Sequence, residues 1–294
     1  MAAATLLDRQ FLERLERLTI HWEKSFSGLV GGHNSSRFAG GGQEFLDHRH
    51  FHHGDDLRAV NWRAYMRLEK LFLKMFQIEP RVPVRMLLDT SASMSAVSPQ
   101  KFEYAMKLAA SLCYVALVRH DTISIQPFGA QLGDRFVCGG GRHRFSPVMD
   151  YLTRLEPAGH TSFYQTVRDF ISNYQQRGLL VIISDFLDDE GCEKALQYLA
   201  DFGHELLLIQ VWSDEDRLPP WTGELELVDA ESGGLAKLQV DDGARERYTA
   251  AFDAYASTLE KIAASNGGRY VGVATTMAIE DVIFGALVRA RGVV

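Results

Sequence analysis

Asp89-Thr90-Ser91-Ala92-Ser93 follows directly on the largely apolar run Val84 to Leu88. In extended chain, residues i, i+2 and i+4 face the same way. A loop leaving the strand can therefore wrap one carboxylate and two hydroxyls around a single point. Hard oxygen donors of this kind suit a divalent cation such as Mg²⁺ or Mn²⁺. Two downstream segments extend the set. Gly159-His160-Thr161-Ser162 is a glycine turn before a helix-like run from Ser162 to Tyr174, leaving the Thr161 hydroxyl near the helix start to ligate or to cap. Leu179 to Asp185 is a second apolar strand that ends in an acid. Functional loops of a parallel α/β sheet lie at the carboxyl ends of its strands, so Asp89 and Asp185 are expected on one rim. The plainer alternative has Ser91 and Ser93 capping a helix that begins near Pro99, and Asp185 capping the next one. Five residues in order, each acid closing a β run, favour the metal reading.

The elements that must position them follow from hydrophobic period. A helix is expected from about Lys101 to Arg119, with Phe102, Ala105, Leu108, Ala109, Leu112, Val115 and Ala116 on one face. Thr122 to Phe128 reads as a strand paired with Gln131 to Val137 through a Gly129-Ala130 turn. A short helix near Ser146 to Leu155, a helix near Glu190 to Phe202 and a strand from Glu205 to Trp212 follow. Leu225 to Asp229 and Leu235 to Val240 form a hairpin around Gly233-Gly234. A long helix from Ala244 to Ser265, a strand from Arg269 to Val273 and a helix near Ala278 to Arg289 end the chain. Strands alternating with helices imply an α/β fold with a doubly wound, mainly parallel sheet. Before it, Leu6, Leu7, Phe11, Leu12, Leu15, Leu18 and Ile20 mark an amphipathic helix, and the stretch Gly28 to Gly42 reads as a flexible connection. The division expected is therefore 1–80, a helix, linker and β extension, and 81–294, the α/β domain.

The five-residue set resembles the metal-ion-dependent adhesion site of the von Willebrand factor A domain, written DxSxS, then T, then D. The resemblance implies that Ser91, Ser93 and Thr161 reach the metal and that Asp89 and Asp185 bind directly or through water. One coordination position would stay open for a partner's carboxylate.

Upstream, Glu44 to Trp62 carries a denser signature. It is similar to the EFxDxRxYxxGDDxRxINW stretch of the bacterial family catalogued as domain of unknown function 58, which precedes an A-type domain. Glu44, Phe45, Asp47, Arg49, Gly54, Asp55, Asp56, Arg58, Asn61 and Trp62 match; Phe51 stands for tyrosine and Val60 for isoleucine. The match continues through the Asp229 to Gly233 turn and Arg247-Tyr248 to the C-terminal helix. Physically, Arg49, Asp55, Asp56, Arg58 and Arg63 are suited to charge-assisted hydrogen bonds around Gly54. They are expected to form a clasp that anchors the N-terminal region to the A-type core, with Trp62 and Phe45 packed beneath it, or alternatively a partner-recognition surface anchored on Arg and Trp. His48, His50, His52 and His53 invite zinc, but no cysteine accompanies them and the family pattern does not require histidine there. A solvated cluster is the better account.

Among 294 residues, 46% are hydrophobic and 23% charged, an ordinary globular balance. The net charge of −7 argues against a general nucleic-acid binder. Cys113, Cys138 and Cys192 are widely spaced, which indicates neither a disulfide framework nor a CxxC zinc site and fits a reducing compartment. No apolar stretch approaches the ~18 residues of a membrane span, and Met1 to Arg9 lacks signal-peptide character. A cytoplasmic protein is expected. From Asp214 to Arg247 ten acids face four bases, which reads as a solvated edge or an acidic partner surface.

Three functions are weighed. The first is a Mg²⁺- or Mn²⁺-dependent protein-binding module that captures an acidic side chain. For it the family resemblance implies an adaptor or chaperone-like role beside a MoxR-type AAA+ ATPase. The second is a metal-dependent hydrolase on the same ion, with His160 approaching Ser91; no GxxxxGK[ST], GxSxG or HExxH motif supports it. The third is a scaffold with a vestigial metal site. A binding module, not an enzyme, is the expectation.

Overall fold

The strands Val84–Asp89, Ile123–Phe128 and Leu179–Ser184 are buried at every residue. A parallel strand covered on both faces has no side for water, so its sequence reads as a run and not as an alternation. The computed structural model describes residues 7–20, 44–52, 55, 57, 60–77, 83–174, 177–188 and 191–293. In chain order its elements are α1 (Arg9–Leu15), β1 (Glu44–His50), α2 (Trp62–Leu68), β2 (Phe72–Gln77), β3 (Val84–Asp89), α3 (Ser93–Ala96), α4 (Pro99–Val118), β4 (Ile123–Phe128) and β5 (Phe136–Cys138). Then come α5 (Phe145–Leu152), α6 (Phe163–Asn173), β6 (Leu179–Ser184), α7 (Cys192–Phe202), β7 (Glu205–Trp212), α8 (Asp214–Arg217), β8 (Gly223–Val228), β9 (Leu235–Val240), α9 (Asp242–Ser265) and β10 (Arg269–Ala274). The C-terminal helical stretch, Ile279 to Arg289, contains a π-helical turn, Val282–Ala286.

Two compact units emerge: Met1–Lys24 with Val82–Val294, and Ser25–Arg81. The larger holds a six-stranded sheet in the order β10-β7-β6-β3-β4-β5, parallel except for β5. This is the doubly wound α/β architecture expected. From β3 the chain runs outward through β4 and β5, then returns to the other side of β3 for β6, β7 and β10. Winding reverses between β3 and β6, and such a switch point opens a crevice at the carboxyl ends of the two strands. One core face is built by Leu87, Phe128, Phe163, Val167, Phe170, Leu196, Leu199 and Leu259 from the sheet and from α6, α7 and α9.

Two expectations shift. The partner of β4 is the short β5, and Gln131 is not part of it; Phe128 and Leu132 make only an isolated bridge. A boundary at residue 80 places α1 with the extension, but α1 belongs with the α/β unit. Phe11 and Leu15 are buried, Phe11 stacks edge-on to Phe284 at 6.1 Å, and Ile20 bridges to Val293. Its apolar stripe is covered by the C-terminal stretch, and Tyr114 of α4 donates to Glu16 at 2.9 Å.

Within the smaller unit β1 and β2 pair antiparallel, with a register shift between Phe45 and Asp47. Of the expected charge-assisted hydrogen bonds, that between Arg49 and Asp55 is present: Nη1 and Nη2 meet the two carboxylate oxygens at 2.9 and 2.7 Å, and His52 N–H donates to Asp55 at 2.8 Å. His53, Gly54, Asp56 and Arg58 lie outside the described residues, as do the side chains of Glu44, Phe45 and Asp47. Trp62 is not packed beneath the clasp. It opens α2 behind the Asn61 N-cap, on a helix that buries none of its residues, and it is 54% exposed.

Candidate functional site

The DxSxS loop closes on itself. Backbone N–H of Ser91 donates to Asp89 Oδ1 at 2.9 Å, the turn a short polar side chain makes with the chain two residues on. The hydroxyls of Ser91 and Ser93 stand 2.9 Å apart. Neither caps a helix: Ala92 is the N-cap of α3, Ser98 precedes α4, and neither cap makes a side-chain bond. The capping alternative is therefore absent from this loop. Asp185 does not cap the next helix either: α7 has Gly191 as its N-cap with no side-chain bond. Asp188, three residues on, reaches back instead, its Oδ2 accepting from Phe163 N–H at 2.8 Å in the first turn of α6.

The loop bearing Thr161 is laced to the Asp89 loop. Ala158 N–H donates to Thr90 C=O at 2.8 Å, and Ala92 N–H to Gly159 C=O at 2.9 Å. Gly159 sits at φ +77°, the left-handed region that suits glycine. Ser162 N–H reaches Gly129 C=O at 3.1 Å. Gly129 passes so close that a Cβ there would lie 3.2 Å from the His160 carbonyl. Thr161 is buried, one residue before the N-cap of α6, with its backbone N–H on Glu231 Oε2 at 2.8 Å and its hydroxyl on Oε1 at 3.4 Å.

The third loop leaves β6. Ser184 donates to Asp89 Oδ2 at 2.6 Å and accepts from Phe186 N–H at 2.8 Å. Phe186 is fully buried at φ +59°, a costly conformation for a bulky residue. It is held there by the Ser184 bond, by Tyr255 donating to its carbonyl at 2.8 Å, and by stacking on Phe163 at 5.6 Å. The loops leaving β3 and β6 and the loop joining α5 to α6 are thus fastened to one another above an aromatic floor.

Asp185 is buried, and Lys101 claims it: Nζ lies 3.0 Å from Asp185 Oδ2 and 3.1 Å from Asp216 Oδ2. Leu187 N–H donates to the other Asp185 oxygen at 3.2 Å. Burial disfavours the Lys101 charge, but the two carboxylates and their hydrogen bonds outweigh it and raise its pKa. Among the described residues Asp89 has no such cation. Burial, reinforced by the charge of Asp185, pushes its carboxyl up to about 7, while the bonds from Ser184 and Ser91 pull the other way.

These donors fit a hard divalent cation in one particular way. Among the described residues no three His, Cys, Asp or Glu side chains stand close enough to chelate an ion. Direct ligation would rest on the hydroxyls of Ser91, Ser93 and Thr161. Asp89 and Asp185, each already accepting on both oxygens, would hold coordinated water with their remaining lone pairs. Three buried acids, Asp89, Asp185 and Asp216, with the single ammonium of Lys101 also leave negative charge for a cation to balance. Among the described residues the histidine cluster gives no such set: His48 pairs with Asn61 Nδ2 at 2.6 Å and His50 lies on Phe72 at 4.7 Å. His160 is exposed, and among the described residues no hydrogen bond joins it to Ser91 or Ser93.

Lys101, Asp216, Ser184, Asp188 and Glu231 escaped the sequence reading. Only Ser213 and Asp216 left a local sign there, the S-x-x-D of a capping box, which α8 indeed shows.

Among solved structures, the chain is similar to the conserved hypothetical protein BatB from Bacteroides thetaiotaomicron. Identity there is 18%, with 71% of this chain and 98% of that chain covered at TM-score 0.41. It is also similar to manganese-loaded TRAP protein of Plasmodium vivax, at 10% identity over 62% of this chain and 73% of that one, with TM-score 0.34. The uncharacterized protein Rv1480 of Mycobacterium tuberculosis is 23% identical over 291 residues, 97% of this chain and 92% of the relative. The family model described as "Protein of unknown function DUF58" matches residues 47–257, and the chain belongs to that family.

Proposed function

We propose that this protein is a divalent-cation-dependent protein-binding module, not a hydrolase, that captures an acidic side chain of a partner at the β3/β6 switch point. One observation carries the reading. Asp89, Ser91, Ser93, Thr161 and Asp185 come from three loops that are hydrogen-bonded to one another, and Thr161 already holds a carboxylate with its N–H and hydroxyl. A bound Mg²⁺ or Mn²⁺ would supply concentrated positive charge in an otherwise acidic protein. The chain's part is to present three hydroxyls from a rim whose loops cannot move independently, and to keep water ordered on two buried acids. A MoxR-type AAA+ ATPase, the partner that the family resemblance implies, fits an adaptor role.

The test is metal titration of chelator-stripped protein by calorimetry and thermal melting. A ligand of the native state at about 100 times its Kd adds about 2.7 kcal/mol of stability, so Mg²⁺ or Mn²⁺ should raise Tm in the parent and not in Asp89→Ala. Binding of a purified MoxR-type ATPase should follow the metal. No heat and no melting shift would leave the scaffold alternative.

A further inference from the structure

The carboxylate on Thr161 comes from far along the same chain. Glu231 lies 70 residues downstream of Thr161, in the turn joining β8 to β9. That turn is built to hold it out. Asp229 Oδ1 accepts from Glu231 N–H at 2.9 Å, from Ser232 N–H, and from Ser232 Oγ at 2.8 Å. Gly233 N–H closes on Asp229 C=O at 2.9 Å, and Gly233 takes φ +71°. The arms behind the turn are a different matter. Val228 is 65% exposed and Leu235 67%, so the hairpin gains little from burial. Among the described residues, the side-chain hydrogen bonds joining the turn to the rest of its unit are the two from Thr161. A rigid tip on a barely buried arm, attached through one acid to the candidate site, is what an internal ligand requires. Gly223, at φ +98° with open space around it, starts the arm.

We infer that Glu231 is the internal ligand of this site. The Thr161 N–H and hydroxyl form its acid-recognising half, and a partner's acidic side chain binds by displacing Glu231 while the β8–β9 hairpin swings out. This rests on the acid-capture reading above and adds to it the ligand's chemistry: a carboxylate carried on a tight turn. It also sets a regulatory cost. Where the competent state is a fraction f of molecules, apparent Kd rises by 1/f, so an arm closed in about nine molecules of ten weakens capture about tenfold.

The experiment uses the full chain, Glu231→Ala and Glu231→Gln. The probe is an acetylated fluorescent peptide copying residues 227–235 (LVDAESGGL), with a second in which glutamine replaces its glutamate. Anisotropy is read with Mg²⁺ and with EDTA, and amide exchange is followed at Thr161 and across 223–240. Both variants should bind the acidic peptide about tenfold or more tighter than the parent, the glutamine peptide should not bind, and exchange should quicken at Thr161 and along the hairpin. The same advantage of the variants in Mg²⁺ and EDTA would remove the cation from the proposed function yet support the internal ligand. Equal affinity of parent and variants, or no peptide binding by any of them, overturns the inference whatever the metal titration shows.

Discussion

Arg49–Asp55 in the smaller unit and Lys101–Asp185–Asp216 at the rim of the sheet are both short ionic contacts, at 2.7 Å in the first and 3.0 and 3.1 Å in the second. Their surroundings differ. The Arg49 and Asp55 side chains are 32% and 20% exposed, while Lys101 is 1% exposed. Water and salt screen the first pair and leave little net gain. In the second, the ammonium is a structural part: α4, α8 and the loop leaving β6 meet on it, and its removal strands two carboxylates in a dry place. Distance alone does not rank ion pairs; the alternative open to each partner does.

The largest effect to test this contrast is Lys101→Met, which keeps the volume and deletes the charge. Leaving buried charge without its counter-ion costs about 3–5 kcal/mol, read as a lower urea midpoint. Adding Asp185→Asn and Asp216→Asn should recover much of the loss, since the stranded charges then vanish. A loss below about 1 kcal/mol in the single variant would place the rim network with the surface clasps and break the comparison.

Next comes the acid that lacks a cation. With its carboxyl pushed up to about 7, Asp89 keeps in the folded state a proton that an unfolded aspartate, of pKa about 3.9, releases. The native state then binds more protons than the unfolded one between those values. Stability therefore falls as pH rises from about 4 through 7 and levels off above. Melting of the parent in EDTA should show that decline between about pH 4 and pH 7 and little change above, and Asp89→Asn should lack it. Equal slopes in the two proteins would mean that Asp89 is ionised and satisfied without a cation.

The same contrast explains what was legible in the sequence. Runs such as Leu179 to Ile183 name themselves as buried strands, and an acid after such a run falls on the rim by topology, so Asp89 and Asp185 were readable. Lys101 was not, because a lysine in the first turn of an amphipathic helix ordinarily faces water; only the fold brings Asp185, 84 residues on, within 3.0 Å. Glu231 lay in the Asp229 to Gly233 turn that the family match included, but nothing in that turn pointed to Thr161, 70 residues upstream. Trp62 failed oppositely: a large aromatic after a turn suggests packing, but the Asn61 cap, accepting from Ala64 N–H at 3.3 Å, sets it on the open face of α2.

The smallest expected effect belongs to the clasp. Asp55 is held below its ordinary pKa, chiefly by its hydrogen bonds from Arg49 and then by that from His52 N–H. A depressed carboxyl contributes stability that is present above its unfolded pKa and lost as pH falls through the folded one, the reverse of Asp89. Arg49→Ala should leave Tm at pH 7 nearly unchanged, because solvent already screens the pair, and should flatten the small acid-side decline below about pH 4. High salt should mimic the substitution, as it must for a pair open to water. If Arg49→Ala lowers Tm as far as Lys101→Met does, the clasp carries more of the smaller unit than its exposure allows. The family signature would then mark a folding element there, and not a surface tie.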